Sequence, residues 1–328
     1  MRTSNITFFL FSGLLLISSS LAYTPVIAFS LLPIFFIFLA GSKIEKKVLI
    51  FLPFLLVYLI SLLIVELSRV QLIFNNDDFV YYYNYFLDFI KPANDTISYG
   101  GGGVVEPGLQ ALNYVLAIFI GENPYIYKAA HVILQSILLC LCVLSIKKYH
   151  QLSKEHFLLL FTLMLVFYEY GYSFHILRQG YASFFIVLAV FSQSKSSKTT
   201  FFVIAVLFHV TSIIVFPLVN FILKNNNPVL RRRFMLLLFI FSCFFIILLN
   251  FLSSISYSNI FIMKLLVAYN KFEGVENVLL LAAKNNFSFL LLFIFVLFVN
   301  VFIYKGVDYK NLIPIIVFIF YLGTVSII

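Results

Sequence analysis

Two polar groups interrupt the apolar second half of this sequence and could do chemistry there. Arg178 lies between His175 and Gln179, and His209 follows Phe208 in the next apolar run. Ionisable side chains within apolar segments are costly, and in membrane proteins they are candidate functional groups by default. The planar guanidinium of an arginine donates two parallel hydrogen bonds and therefore suits a phosphate group.

Each of these groups also has an ordinary structural explanation. His175, Arg178 and Gln179 are spaced i, i+3 and i+4 and share a helical face, from which Arg178 could bind a phosphate or extend to the lipid headgroups. His209 is either a functional group or a neutral histidine bonded to a neighbouring helix. Arg178 and His209 are catalytic candidates, and His175 and Gln179 are substrate-binding candidates.

A tyrosine-rich segment in the first half begins with two aspartates. Aspartate is a good N-cap and suits the positive end of a helix dipole, so a helix is predicted to begin at Asp77-Asp78. Asp78, Tyr81, Tyr82 and Tyr85 then share one face. The segment is either a capped interfacial helix with an aromatic anchor, or a platform that binds sugars. In the second case the tyrosine rings stack on sugar faces, and the carboxylates of Asp77 and Asp78 accept hydrogen bonds from sugar hydroxyl groups.

A second helix start is predicted at Glu106-Pro107-Gly108, because proline is favoured at the first helical position. If this helix continues, Glu106, Gln110 and Asn113 line one face. In one explanation, Glu106 caps the helix and the two amides form a buried network. In the other, Glu106 is a general base and the amides bind the substrate.

Several other kinds of site are not indicated. The sequence has no HxxH or HExxH spacing and no carboxylate cluster with ligand geometry, so we expect no metal site and no cofactor. The glycine run 100–103 is a flexible connector and not a nucleotide-binding loop. Three cysteines within apolar runs are interpreted as small hydrophobic residues: Cys140, Cys142 and Cys243.

Composition indicates the class of protein that carries these groups. Of the 328 residues, 62% are hydrophobic and 11% are charged, whereas soluble domains carry about 25% charged residues. We predict an all-α, polytopic integral membrane protein with a single transmembrane domain over residues 1–328. The net charge of +9 lies mainly in short connections between apolar runs, where it sets topology and does not indicate nucleic-acid binding.

About ten segments approach the roughly 20 apolar residues that a membrane-spanning helix needs. They are 6–22, 26–40, 48–67, 129–146, 156–173, 177–192, 199–222, 234–255, 287–304 and 312–328. The first also resembles a signal peptide, but the many spans that follow favour a membrane helix. The stretch 109–120 is short and carries two amides, which favours a re-entrant or interfacial helix.

Lysines in the connections predict the orientation. Connections 41–47, 147–155 and 193–198 carry them and fall on one side if 68–128 is a loop with no full span. That side should be cytoplasmic, which makes 68–128 a periplasmic loop with interfacial helices. Asp77, Asp78, Glu106 and Arg178 then share the external face. The cations in 224–233 contradict this alternation: either 199–222 is broken, or an external cationic patch binds an anion. We favour the first explanation.

These motifs resemble those of a known family. Arg178-Gln179, followed by a small-residue helix and then by Phe208-His209, is similar to the RQ…FH(x)S pattern of EpsG-like, Wzy-type polysaccharide polymerases. Thr211 and Ser212 both qualify for the last position of that pattern. The Asp-x-x-Tyr segment and Glu-Pro-Gly-Leu resemble early motifs of the same family. The resemblance covers about residues 70–220.

The resemblance implies an integral-membrane glycosyltransferase of the bacterial inner membrane. Such enzymes polymerise oligosaccharide repeat units carried on undecaprenyl pyrophosphate at the periplasmic face, for O-antigen (in lipopolysaccharide), capsule or exopolysaccharide, without nucleotide sugars. By analogy a chain-length regulator is a partner. Arg178 would stabilise the leaving pyrophosphate, Glu106 or secondarily Asp78 would accept the proton of the acceptor hydroxyl, and His209 would bind phosphate or support Arg178.

Two other functions stay open. A lipid-linked oligosaccharide flippase should show an internal repeat, broken helices in both halves and a polar central cavity, and no repeat of fixed period is visible. A membrane O-acyltransferase of polysaccharide also has about ten spans, but its histidine and arginine motifs are expected early in the chain, whereas here they come late.

Overall fold

The computed structural model describes residues 13, 25–42, 44, 47–70, 78–90, 107–166, 174, 177–224 and 230, and this part of the chain contains helices and no strand. The all-α prediction is therefore confirmed over these residues. The helices are α1 (Pro25–Gly41), α2 (Lys47–Arg69), α3 (Asp78–Ile90), α4 (Pro107–Phe119), α5 (Pro124–His150), α6 (Lys154–Val166), α7 (Leu177–Phe191), α8 (Lys195–Phe208) and α9 (Ser212–Lys224).

Two of these helices are long and apolar enough to cross a membrane. They are α2, with 23 residues, and α5, with 27, and at 1.5 Å per residue both exceed the roughly 30 Å of a bilayer's hydrocarbon core. The predicted spans 26–40, 156–173 and 177–192 correspond to shorter helices in the described residues. The predicted spans 6–22, 234–255, 287–304 and 312–328 lie outside those residues.

The chain divides into two compact units. The first comprises residues 1–98 and 105–216, and it contains α1 to α8 and all the contacts discussed below. The second comprises 99–104 and 217–328, of which the structure describes 217–224 and 230.

The segment predicted as a loop over 68–128 is shorter than expected. Asn123 caps the start of α5, because its Oδ1 accepts hydrogen bonds from the backbone nitrogens of Tyr125 at 2.9 Å and Ile126 at 3.3 Å. The segment therefore ends at Asn123 and not at 128. Its helices α3 and α4 have 13 residues each. They begin at Asp78 and Pro107, where local capping chemistry predicts them.

The apolar run 199–222, counted above among the predicted spans, is broken, as the favoured explanation of the cations in 224–233 requires. Helix α8 ends at Phe208 and α9 begins at Ser212, with His209 between them in an extended conformation, φ −155° and ψ 119°. Ser212 Oγ donates to the Ala205 carbonyl at 3.1 Å, so a side chain bonds a carbonyl in the last turn of α8. His209 therefore lies at a helix end and not in the middle of a span.

One end of the helical unit is defined by lysine-bearing connections, and we call it the lysine end. Lys47 Nζ lies 2.6 Å from Glu155 Oε1 and donates to the carbonyl of Ala40 at 3.2 Å, so connections 41–47 and 147–155 are in contact. The ring of Tyr149 packs against Phe191, the last residue of α7, at 5.5 Å. Connections 41–47 and 147–155 therefore lie together, with the end of α7 beside them, and the membrane side of the connections stays a prediction.

Candidate functional site

The end of the unit away from the lysine end contains an aromatic core, and we call it the tyrosine end. Helices α3, α4, α5, α7 and α8 all contribute to this core, so every described helix that carries a predicted site residue converges there. Its buried members are Phe79, Tyr82, Phe86, Leu109, Tyr127, Leu177, Tyr181, Ala182 and Phe208.

Arg178, in the first turn of α7, contacts Tyr82 of α3. Its Nε donates to Tyr82 Oη at 3.4 Å, and its guanidinium carbon lies 5.8 Å from the centre of the Tyr82 ring. A guanidinium near an aromatic ring and a phenol oxygen is held in orientation while it keeps its full positive charge. The structure thus joins two predicted site residues that lie far apart in the sequence.

The amides of α4 join the same assembly. Gln110 Nε2 donates to Tyr85 Oη at 2.7 Å, which links α4 to α3. Asn113 is fully buried, and its Oδ1 accepts from Tyr127 Oη at 3.1 Å. The buried amide network, which is one of the two explanations of this polar stripe, is therefore present. Gln110 contacts Tyr85 directly, and Asn113 is linked through Tyr127 to the backbone carbonyl of Tyr82.

Gly108 brings the Glu-Pro-Gly motif against the Phe-His motif. A β-carbon at Gly108 would lie 2.8 Å from the carbonyl carbon of Leu207 and 2.8 Å from the nitrogen of Phe208. The backbones of α4 and α8 therefore touch where α8 ends, next to His209. The ring of Phe208 also stacks on the ring of Tyr181 of α7, with 4.9 Å between the ring centres.

Not every predicted residue joins these contacts. Tyr81 is 46% exposed and packs edge-on against Tyr82 at 5.9 Å, so it does not share the buried environment of its neighbour. Glu106, Asp77 and His175 lie outside the described residues, and of Asp78 the structure describes the backbone, which begins α3.

Two predicted site residues, Asn113 and Gln179, each have a buried polar atom without a hydrogen-bond partner among the described residues: Asn113 Nδ2 and Gln179 Oε1. One is a donor and the other an acceptor. An unsatisfied buried polar atom costs about 1–3 kcal/mol, so groups that stay unsatisfied within the protein are candidates for bonds to a ligand.

Sequence reasoning missed three buried ionisable residues at this end: Glu66, Lys128 and His131. Lys128 Nζ lies 3.2 Å from Glu66 Oε2, and His131 Nδ1 lies 2.8 Å from Tyr181 Oη. The signal was available, because Glu66 and His131 lie within predicted apolar spans, where the argument applied to Arg178 holds equally.

Metal-ligand geometry is not seen in the described ranges, where no three His, Cys, Asp or Glu residues group together. Cys140 and Cys142 have free thiols, and Cys142 Sγ lies 3.3 Å from the Phe184 carbonyl. Cys243 falls outside the described residues.

The comparisons with known proteins give one match. A protein-family model described as EpsG family matches residues 62–328, which includes all the contacts at the tyrosine end and confirms the resemblance drawn from the motifs. No curated protein and no solved structure matches the chain.

Proposed function

This chain belongs to the EpsG family, and from that membership we propose that it is an integral-membrane glycosyltransferase. It polymerises oligosaccharide repeat units carried on undecaprenyl pyrophosphate. The growing chain is transferred from its lipid carrier to a sugar hydroxyl of the incoming unit, for O-antigen, capsule or exopolysaccharide. The apolar helices α2 and α5 support a membrane location.

The observation that carries this proposal is the convergence of separated motifs at the tyrosine end. Arg178 contacts Tyr82, Gln110 contacts Tyr85, and Gly108 lies against Phe208. A purely structural bundle has no need to bring an arginine and two amides into contact with a cluster of tyrosines, beside the helix end that His209 follows. A polymerase needs such a grouping, since it must bind both a pyrophosphate and sugars.

The reaction makes one glycosidic bond and breaks one sugar–phosphate bond. The acceptor hydroxyl oxygen attacks the anomeric carbon of the growing chain, its proton passes to a carboxylate, and undecaprenyl pyrophosphate leaves with the bonding electron pair. Glu106 is our first choice for the base and Asp78 the second. Arg178 stabilises the negative charge that develops on the pyrophosphate, and His209 binds phosphate or supports Arg178.

Sugar binding is assigned to the polar groups around these residues. Gln179 Oε1 and Asn113 Nδ2 have unused hydrogen-bonding capacity among the described residues, which suits sugar hydroxyl groups that both donate and accept. The side chains assigned to the substrate are those of Asp77, Tyr81, Tyr82, Tyr85, Gln110, Asn113, His175 and Gln179.

We place the tyrosine end at the periplasmic face of the inner membrane. The contact between Lys47 and Glu155 supports a common side for two lysine-bearing connections, and the positive-inside rule makes that side cytoplasmic. About ten spans complete the proposed topology, with α4 as the re-entrant or interfacial helix. A chain-length regulator remains a proposed partner.

The test is the surface-polysaccharide ladder of a host that lacks this gene, with and without the gene supplied back. We expect the ladder to collapse to a single repeat unit and to be restored by the wild-type gene but not by Arg178→Ala. Lys195→Ala is the matched control, because Lys195 is an exposed cation at the lysine end, and it should restore the ladder fully.

The alternatives give different patterns. Loss of every repeat unit from the surface indicates a flippase or an earlier assembly step. An unchanged ladder with altered acetylation indicates an acyltransferase. A full ladder with Arg178→Ala, at wild-type protein level, removes Arg178 from the mechanism.

A further inference from the structure

A buried ion pair lies beside the candidate site, and the proposed mechanism gives it no role. Glu66 of α2 and Lys128 of α5 are each 2% exposed, and Lys128 Nζ lies 3.2 Å from Glu66 Oε2. Arg69 Nη1 donates to the other carboxylate oxygen, Glu66 Oε1, at 3.0 Å. One carboxylate therefore lies between two cations, of which Lys128 is the buried one.

Lys128 also contacts both segments that form the pair between Arg178 and Tyr82. Its Nζ donates to the Phe174 carbonyl at 2.9 Å, and Phe174 precedes Arg178 by four residues. The same Nζ lies 4.9 Å from the centre of the Phe79 ring, which is about one helical turn before Tyr82 on α3. One ammonium group thus has partners on α2, on α3 and on the backbone that leads into α7.

The physical cost of this arrangement indicates that it is not there for net stability. Removing a carboxylate and an ammonium from water costs several kcal/mol per ion, and well-packed apolar residues of similar volume are often as stable. An apolar side chain, however, makes no directional bond to the Phe174 carbonyl. What the ion pair supplies that an apolar pair does not is a fixed position for its neighbours.

We propose that Lys128, held by Glu66, is a positioning residue for the contact between Arg178 and Tyr82. It fixes the backbone at Phe174 relative to Phe79, and thereby the start of α7 relative to α3. The guanidinium is then held at a constant angle to the Tyr82 ring, while Lys128 itself does not touch the substrate. The inference deepens the proposed function and rests on it.

The variant that tests this role is the double substitution Glu66→Gln/Lys128→Met. It removes both charges at similar volume and leaves no unpaired buried ion in the pair, so folding should survive. Activity is measured on purified protein in vesicles that contain a lipid-linked repeat unit. We expect kcat per folded molecule to fall roughly ten- to a hundredfold, because small misplacements of catalytic groups have effects of this size, with KM little changed.

Two further variants separate positioning from folding. Lys128→Arg, with Glu66 retained, keeps a cation that can donate to the Phe174 carbonyl. Its kcat should therefore be close to that of the wild type and well above that of Glu66→Gln/Lys128→Met. In an Arg178→Lys background, Glu66→Gln/Lys128→Met should cause little additional loss, because residues that act through one another are not additive. Full additivity, or a loss of folded protein with unchanged kcat per molecule, overturns the positioning role.

A readout without activity distinguishes failure of this inference from failure of the proposed function. The three native cysteines are replaced by serine, and Arg178→Cys provides a thiol whose maleimide labelling rate is measured with and without Glu66→Gln/Lys128→Met. We expect a several-fold change in this rate. The thiol of Phe119→Cys, at a position 79% exposed, should label at the same rate in both backgrounds.

If the wild-type protein has no polymerase activity but the double substitution still changes the labelling rate of Arg178→Cys, the proposed function is overturned and the positioning of residue 178 by Lys128 is supported. If the wild-type protein is active, and the double substitution changes neither its kcat nor the labelling rate of Arg178→Cys, the positioning role is overturned.

Discussion

Gly108, in the first turn of α4, lies directly against Phe208, the last residue of α8. A β-carbon at Gly108 would approach the Phe208 backbone nitrogen to 2.8 Å, which is closer than packed atoms allow. Because the atoms it would meet belong to the backbone, no side-chain rotation can relieve the clash. Glycine is therefore what allows the two helices, and the motifs they carry, to meet.

Gly108→Ala should separate α4 from α8. We expect a destabilisation of about 1–3 kcal/mol from overpacking, together with loss of the polysaccharide ladder to a single repeat unit. Gly121→Ala is the matched control, because a β-carbon there meets nothing within 4 Å. Thermal unfolding in detergent and the ladder measure the two effects, and a full ladder with Gly108→Ala would show that the two motifs need not touch.

Tyr82→Phe tests the hydrogen bond from Arg178 apart from the ring beneath it. The substitution removes the oxygen that accepts from Arg178 Nε at 3.4 Å and keeps the aromatic ring. We expect the polymerisation rate to fall about fivefold, which corresponds to about 1 kcal/mol for one hydrogen bond. Tyr125→Phe, at an exposed position in the first turn of α5, is the control. An equal effect of both variants would argue against this role of Tyr82.

The bond between Asn113 and Tyr127 allows stability and substrate binding to be measured separately. Tyr127→Phe leaves Asn113 Oδ1 without its partner at 3.1 Å and should cost about 1–3 kcal/mol. Asn113→Leu/Tyr127→Phe removes both partners and should recover most of that stability. If Asn113 Nδ2 binds a sugar hydroxyl, the double variant folds yet has a raised KM. A KM equal to that of the wild type would exclude Asn113 from substrate binding.

The ion pair at the lysine end should make stability depend on acidity. The hydrogen bond from Lys47, helped by backbone and Ser153 hydrogen bonds, lowers the pKa of Glu155 from 4.5 to about 2. A depressed folded-state pKa gives stability that is present above pH 4.5 and is lost as pH falls towards 2. Because the Glu155 side chain is 41% exposed, the effect is at most about 1 kcal/mol.

Thermal unfolding of Glu155→Gln measures this contribution. Its unfolding midpoint should lie below that of the wild type near neutral pH, and the gap should close as the pH falls below 4.5. A gap that stays constant down to low pH would mean that the carboxylate charge contributes no stability.

Features set by short-range sequence were predictable, and features set by packing were not. The helix starts at Asp78 and Pro107 follow from capping preferences of neighbouring residues, so the sequence sufficed there. The cations in 224–233 favoured a break within 199–222 but did not say where it falls. The break lies at His209, where Ser212 bonds the Ala205 carbonyl across it, and the periodicity of the run does not mark that position.

The candidate site shows the same division. Arg178 stood out because it is a cation next to apolar segments, and its partner Tyr82 was identified as a site residue without the contact between them. The pairing of Glu66 with Lys128 joins two helices, and the register and rotation that bring them together are tertiary properties. Lys128 also lies in the segment 68–128, which was predicted to be a loop. The argument that a charge buried in an apolar span is costly, and therefore a functional candidate, was not applied to it.

The contact between Gly108 and Phe208 also has a consequence for the order of biosynthesis. Phe208 is synthesised roughly 100 residues after Gly108, and at about 5–20 residues per second the delay is about 5–20 s. During that interval α4 lacks its docking surface on α8, and with 13 residues it is too short to cross a bilayer alone. The contact between α4 and α8 is therefore made only after the ribosome has passed α8.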